Sequence, residues 1–167
     1  MNATESNSTT TTTLKELLAH WQGHRRLTRK TIEAFPEDKL FTHSIGGMRS
    51  FGEITIELLK MGAPGAAGIS TGKWISFDDF NMGGMSSKPT TKKEVLQIWD
   101  WSTEKINEYW KQVTAERLRE TDIAYGVYEG TVLSHLQYFV DNEIHHRGQG
   151  YVYLRSLGIE PPFFWER

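Results

Sequence analysis

The sequence of 167 residues contains no cysteine. This absence excludes disulfide bonds, a thiolate nucleophile and any zinc site built on cysteine ligands. An excess of basic residues is also missing, since the formal net charge is -2 and the isoelectric point is about 6.3. Domains that bind nucleic acids carry a basic patch or stripe. We therefore expect no nucleic-acid partner.

Long hydrophobic runs are absent as well. No apolar segment approaches the roughly 20 residues that a membrane-spanning helix needs, and the N-terminus lacks the basic and apolar regions of a secretory signal. These absences predict a cytoplasmic protein that does not associate with membranes. Residues 1–12 (MNATESNSTTTT) are polar and low in complexity. They predict a flexible tail ahead of a single domain that spans residues 13–167.

Four segments show the periodicity of amphipathic helices, and three of them begin with a capping box. The boxes read TLKE, SFGE and TKKE, and the predicted helices span 13–34, 51–61, 92–113 and 132–157. The connections at 68–90 and 121–130 are long, and we predict no sheet in them. The sequence therefore predicts an all-α four-helix bundle. The long connection at 68–90 joins the second and third helices and allows them to run parallel.

The fourth helix has two faces that differ from those of an ordinary surface helix. At 100° per residue, Leu133, Val140, Ile144 and Tyr151 form an apolar face. Asn142, His146, Gln149 and Tyr153 lie on the opposite side. Two such faces predict burial on both sides, one in the bundle and one against a partner subunit.

Asn142 and His146 are four residues apart and are therefore neighbours on one helix surface. Imidazole binds zinc, nickel or iron and also serves as a general base near neutral pH. The alternative is that both side chains are simply hydrogen-bonded. Two histidines, His20 and His24, also have this spacing, and both are expected to face solvent.

Further residues of this helix have structural interpretations. Arg147 is expected to pair with Glu143 on the helix surface at i, i+4. Gly148 and Gly150 lower helix stability, and a closely packed second helix would explain both.

The run DNEIHHRGQGYVYLRSLGIEPP resembles the C-terminal helix of the DinB-like (DinB/YfiT-like) putative metalloenzymes, and GGMRSFGEITIELLKM resembles their second helix. The resemblance implies a four-helix bundle of up-down-down-up topology that often forms a homodimer. It also implies a divalent metal held by three histidines, one in the second helix and two in the fourth. Characterised relatives include thiol-dependent S-transferases, in which the metal is thought to activate a low-molecular-weight thiol.

Carried over by position, the implied metal ligands are Glu57, Asn142 and His146. The family usually has histidine at the first two of these positions. A glutamate, asparagine and histidine set would bind zinc or nickel less tightly and favour manganese or magnesium. A carboxylate at the edge of a buried stripe is costly without a partner. A metal, protonated His146 or Arg147 could each be the partner of Glu57. The alternative to a metal site is therefore a metal-free Glu57–His146 hydrogen bond.

Two functional hypotheses follow. The first is a metal-dependent thiol S-transferase or hydrolase, with zinc, nickel or manganese as the metal and a pocket walled by the 68–90 loop through Trp74, Asp78 and Asp79. The second is a non-catalytic bundle that has lost the metal site and binds a small molecule or a protein partner. The side chains expected around the site are His145, Arg147, Gln149 and Tyr153. Those expected to line an aromatic pocket are Trp74, Trp99, Trp110, Tyr153 and Trp165.

Overall fold

The computed structural model describes residues 11–167, so ten residues of the predicted N-terminal tail (1–12) lie outside it. Six helices and one β-hairpin make up the fold. The helices are α1 (Leu14–Ala34), α2 (Phe51–Met61), α3 (Ala63–Thr71), α4 (Lys92–Trp110), α5 (Ala115–Arg119) and α6 (Val132–Ser156). The strands are β1 (Thr121–Ala124) and β2 (Tyr128–Thr131), which pair antiparallel.

The three predicted capping boxes form and set where the long helices begin. Thr13, Ser50 and Thr91 each accept a hydrogen bond from a backbone amide three residues later. The glutamate at that later position accepts one from the cap amide in return. Each box therefore satisfies two amides that a helix start leaves unpaired.

The four long helices form the predicted bundle, in which α1 and α2 each pack against both α4 and α6. Helices α1 and α4 run antiparallel, because the Trp110 indole donates to the carbonyl of Leu14 while Arg29 pairs with Asp100 at the other end. Helices α1 and α6 run parallel, since Ile32 and Leu154 share one end of the core.

Helices α2 and α6 run antiparallel, with Glu57 opposite His146 and Met61 opposite Asn142. The order of directions is therefore up, down, down, up, and α2 and α4 are parallel as predicted. Among residues 11–167, none of the helices has the length and hydropathy that crossing a bilayer requires.

Helix α3 and the hairpin are elements that the sequence reading missed. Gly65 and Gly68 weaken a helix intrinsically, but here they let the rings of Phe139 and Trp74 approach the backbone of α3. The hairpin turn contains Tyr125 and Gly126, both with positive φ. Position 125 carries no glycine or asparagine, so the segment lacked the usual hairpin signal. The third long helix also ends at Trp110, three residues before the predicted end.

The predicted faces of α6 are wrong at Ile144, whereas residues of both faces are buried, such as Val140 and Tyr153. Ile144, assigned to the apolar face, is 38% exposed, whereas His135, Glu143, His146 and Arg147 are buried. The core side of α6 includes polar groups because α1 and α2 present polar partners to it.

Candidate functional site

The predicted convergence of α2 and α6 is confirmed at Glu57 and His146. The Nε2 atom of His146 lies 3.0 Å from Oε1 of Glu57, although the residues are 89 positions apart in the sequence. His146 is buried and Glu57 is partly buried, with 27% of its side chain exposed. The pair therefore lies at the edge of the bundle, where solvent still reaches the carboxylate.

Arg49 is the residue of this site that the sequence reading missed. Its Nη1 lies 2.6 Å from Oε2 of Glu57, the carboxylate oxygen that His146 does not contact. Tyr153 supports this arrangement, because its buried hydroxyl donates a 2.9 Å hydrogen bond to the Arg49 carbonyl. The position of Arg49, directly before the Ser50 cap and two turns before Glu57, was the available signal.

Gln149 fixes the other side of the imidazole. Its Oε1 lies 2.7 Å from Nδ1 of His146. A carboxylate can only accept hydrogen bonds, so Nε2 of His146 donates to Glu57. The Gln149 amide holds the ring from the opposite side.

The pKa of the Glu57 carboxyl reflects these partners. Burial alone would raise its pKa, but hydrogen bonds from Arg49 and then His146, with their charges, outweigh burial and lower the pKa. Glu57 is therefore a carboxylate at neutral pH and the centre of the site.

Asn142 and His145 are placed differently from the implied site. The Asn142 amide nitrogen donates to the sulfur of Met61 at 3.1 Å, and His145 is exposed on α6. Within residues 11–167, no three His, Asp or Glu side chains are grouped so that they could hold an ion. As arranged, the three implied ligands do not fit a divalent metal, because Arg49 covers one Glu57 oxygen and His146 directs a proton at the other.

Arg147 does not pair on the surface, and that prediction is wrong. Its guanidinium is buried and lies 3.0 Å from Nδ1 of His24 and 3.2 Å from the hydroxyl of Thr28. Glu143 accepts a 2.6 Å hydrogen bond from the same hydroxyl. His24 is therefore buried rather than solvent-facing. Arg147 joins α6 to α1 and is not part of the Glu57 site.

A cavity of about 500 Å³ lies between the hairpin, α2 and α6. It begins at Met61, one helical turn beyond Glu57 on α2. Five aromatic rings line it, from Phe77, Tyr125, Tyr128, Tyr138 and Phe139. The polar groups at its edge are Lys60, Ser76, Glu129, Ser134 and His135.

The aromatic residues predicted to line a pocket are mostly elsewhere. Trp99, Trp110 and Tyr153 are core residues and Trp165 is exposed, so that prediction is wrong for them. Trp74 lies behind the lining, with its ring packed edge-on against Tyr125, His135 and Phe139. The 68–90 segment contributes Ser76 and Phe77 to the wall, whereas Asp78 and Asp79 are exposed.

Comparison with known proteins agrees with this architecture. Residues 86–166, which include α4, the hairpin and α6, match the model of the DinB family. The chain is DinB-like in sequence over these residues. Among curated proteins, none matches the chain.

Solved structures show the same fold for this DinB-like protein. A DinB-like protein from Bacillus subtilis has a TM-score of 0.71 at 24% identity, covering 90% of this chain and 99% of its own. One from Bacillus cereus has a TM-score of 0.70 at 17% identity, covering 89% and 95%. A variant of a mycothiol-dependent maleylpyruvate isomerase has a TM-score of 0.59 at 12% identity, covering 87% of this chain and 68% of the isomerase.

Proposed function

We propose that this DinB-like protein binds a small, largely aromatic molecule in the cavity between the hairpin, α2 and α6. The observation that carries the proposal is the lining of five aromatic rings around about 500 Å³. Small-molecule sites are concave, mainly apolar and of this size, with a few polar groups that orient the ligand. The cavity has that composition.

The polar edge suggests how a ligand is oriented. Lys60 and Glu129 offer one charge of each sign, and Ser134 and His135 offer groups that donate or accept. The Nε2 atom of His135 lies 3.3 Å from the carbonyl of Asp122, which favours a proton on that nitrogen. A ligand with one aromatic ring and one polar or anionic group is the class that suits this lining.

A second candidate is the metal-dependent transferase or hydrolase that the family suggests, with Glu57, Asn142 and His146 as ligands; it requires Arg49 to leave the Glu57 carboxylate. What supports it is the contact between Gln149 and Nδ1 of His146. This contact turns Nε2 of His146 toward Glu57, and such outer contacts orient metal-binding histidines. A low-molecular-weight thiol is a candidate cofactor here, since one structural neighbour is mycothiol-dependent.

Dye binding tests the cavity. An anilinonaphthalene sulfonate dye, which has aromatic rings and one anionic group, should bind and increase its fluorescence. Tyr138→Ala should weaken binding about two- to tenfold, the loss expected from one aromatic contact. Tyr138 is 57% exposed, so the fold should tolerate the change.

Val152→Ala is the matched control, since Val152 is 55% exposed on the same helix and does not line the cavity. Equal dye affinity in the two variants would contradict the cavity proposal. Elemental analysis of protein purified without added metal separates the candidates. One divalent ion per chain, lost on His146→Ala, would support the metal-dependent enzyme instead.

A homodimer through α6 is also proposed. Gly148 is exposed in the middle of α6, and no atom lies within 4 Å of the position that a Cβ would take there. Ile144 lies one helical turn before it and Val152 one turn after it. A second copy packed across Gly148 would bury this surface. Light scattering of the wild type and of Gly148→Glu tests it, and a monomeric wild type would contradict it.

A further inference from the structure

Glu57 is contacted by a different hydrogen-bond donor at each carboxylate oxygen. Arg49 lies 2.6 Å from Oε2 and His146 lies 3.0 Å from Oε1. We propose that the Arg49 guanidinium stands in for a divalent ion at this site, supplying the positive charge that Glu57 requires and keeping metal ions out. This inference does not depend on what the aromatic cavity binds.

The backbone holds Arg49 where it can reach Glu57. The carbonyl of Arg49 accepts the hydrogen bond from Tyr153, a residue of α6 with 0% exposure. The next residue, Ser50, is the N-cap of α2 and is fixed by its exchange with Glu53. The backbone at Arg49 is thus anchored by α6 and by the start of α2, and the side chain reaches the Glu57 carboxylate.

The charge of Arg49 acts against an ion in two ways. It occupies one of the two oxygens with which Glu57 would coordinate a metal. It also places a positive charge within a few ångströms of any ion bound to the other oxygen, a separation well inside the Debye length, so the two charges repel each other. Removing that charge should therefore leave a carboxylate and an imidazole, 3.0 Å apart, that are free to bind an ion.

The experiment compares metal binding by chelator-treated, tag-free protein. Ni²⁺ and Mn²⁺ are each titrated by equilibrium dialysis, with elemental analysis of the protein. Arg49→Gln should bind about one ion per chain with a Kd at least about tenfold below that of the wild type. A further His146→Ala substitution should abolish the gain. No gain in Arg49→Gln, or equally tight binding by the wild type, would overturn the proposal.

Two variants separate charge from general perturbation. Arg49→Lys keeps a positive charge and should remain as poor in metal as the wild type, so tight binding by this variant would contradict exclusion by charge. Arg155→Gln removes an exposed arginine from α6 and should change nothing. The Arg49 side chain is 51% exposed, so Arg49→Gln should keep its helical circular dichroism. Arg49→Ser gives a second uncharged variant for the same comparison.

Discussion

The guanidinium of Arg25 lies 3.8 Å from the carboxylate of Glu143 inside the bundle, with 1% and 3% of the two side chains exposed. Arg25 also lies 3.5 Å over the ring of Trp99 and donates to the Trp99 carbonyl. Glu143 is thus the acidic centre of a buried network that connects α1, α4 and α6. This network and the Glu57 site occupy separate positions on α6.

Glu143→Gln should lower the free energy of unfolding by about 3 kcal/mol. The substitution removes the carboxylate that pairs with buried Arg25, and breaking a buried ion pair leaves an uncompensated charge. Urea unfolding monitored by circular dichroism measures the loss. Glu104→Gln, at an exposed position of α4, is the control and should leave stability unchanged. A loss below about 1 kcal/mol would show that Arg25 does not depend on Glu143.

His24 should make the fold less stable in acid. Burial, and then the charges of Arg147, His20 and Arg167, lower the pKa of His24 to about 3. In the unfolded chain a histidine titrates near 6.5, so between these values the unfolded state binds more protons. Stability from this group is fully present above pH 6.5 and is lost as the pH falls toward 3, at up to about 1.4 kcal/mol per pH unit.

The measurement is the difference in unfolding free energy between the wild type and His24→Gln across pH 7 to 4. The contribution of Glu143 has the opposite sign, because burial raises the pKa of that carboxyl, but it is present in both proteins and largely cancels. The wild type should lose stability faster than the variant as the pH falls. Parallel curves would show that the pKa of His24 is the same in the folded and the unfolded protein.

The helices could be predicted because their start signals are local. Each capping box lies within four residues and needs no tertiary partner, so the starts at Leu14, Phe51 and Lys92 agree with the predicted ones within one residue. The hairpin and α3 depend on distant contacts, such as the Ser102 hydroxyl, which accepts from the Ala63 amide at the start of α3. Pattern and propensity alone do not encode such contacts.

The site could be predicted only in part. Glu57 and His146 were expected to meet because helix periodicity and the family resemblance both indicated it. The contact of Arg49 with Glu57 was not expected, since Arg49 precedes α2 and the direction of its side chain depends on the turn that leads into the Ser50 cap. Arg147 was misplaced because an i, i+4 partner on its own helix is visible in sequence, whereas His24 on another helix is not.

Gly150 and Gly148 should respond in opposite ways to alanine. A Cβ at Gly150 would collide with the ring of Phe51, and nothing lies within 4 Å of one at Gly148. Gly150→Ala should cost about 1–3 kcal/mol through overpacking, whereas Gly148→Ala should gain up to about 1 kcal/mol of helix propensity. Thermal unfolding of both variants measures this. Equal shifts would mean that Phe51 does not pack on Gly150.

Arg117→Met should loosen the hairpin wall of the cavity. Arg117 donates to the carbonyls of Gly68 and Ile69 at the end of α3 and pairs with Asp122 of β1 at 2.5 Å. Methionine replaces the unbranched apolar stem of the side chain but makes none of these bonds, so β1 loses its tie to α3. Because the hairpin supplies one wall of the cavity, dye affinity should fall by about tenfold or more while the helical circular dichroism is retained.

Arg119→Met is the matched control for this prediction, since Arg119 ends the same short helix and is exposed. Its dye affinity should equal that of the wild type. Hydrogen exchange gives an independent measure, because the amides of residues 121–131 should exchange faster in Arg117→Met and those of α6 should not. If the hairpin amides keep their protection, Arg117 is not what holds this wall. If they lose protection while dye binding persists, the dye does not occupy the cavity between the hairpin and the bundle.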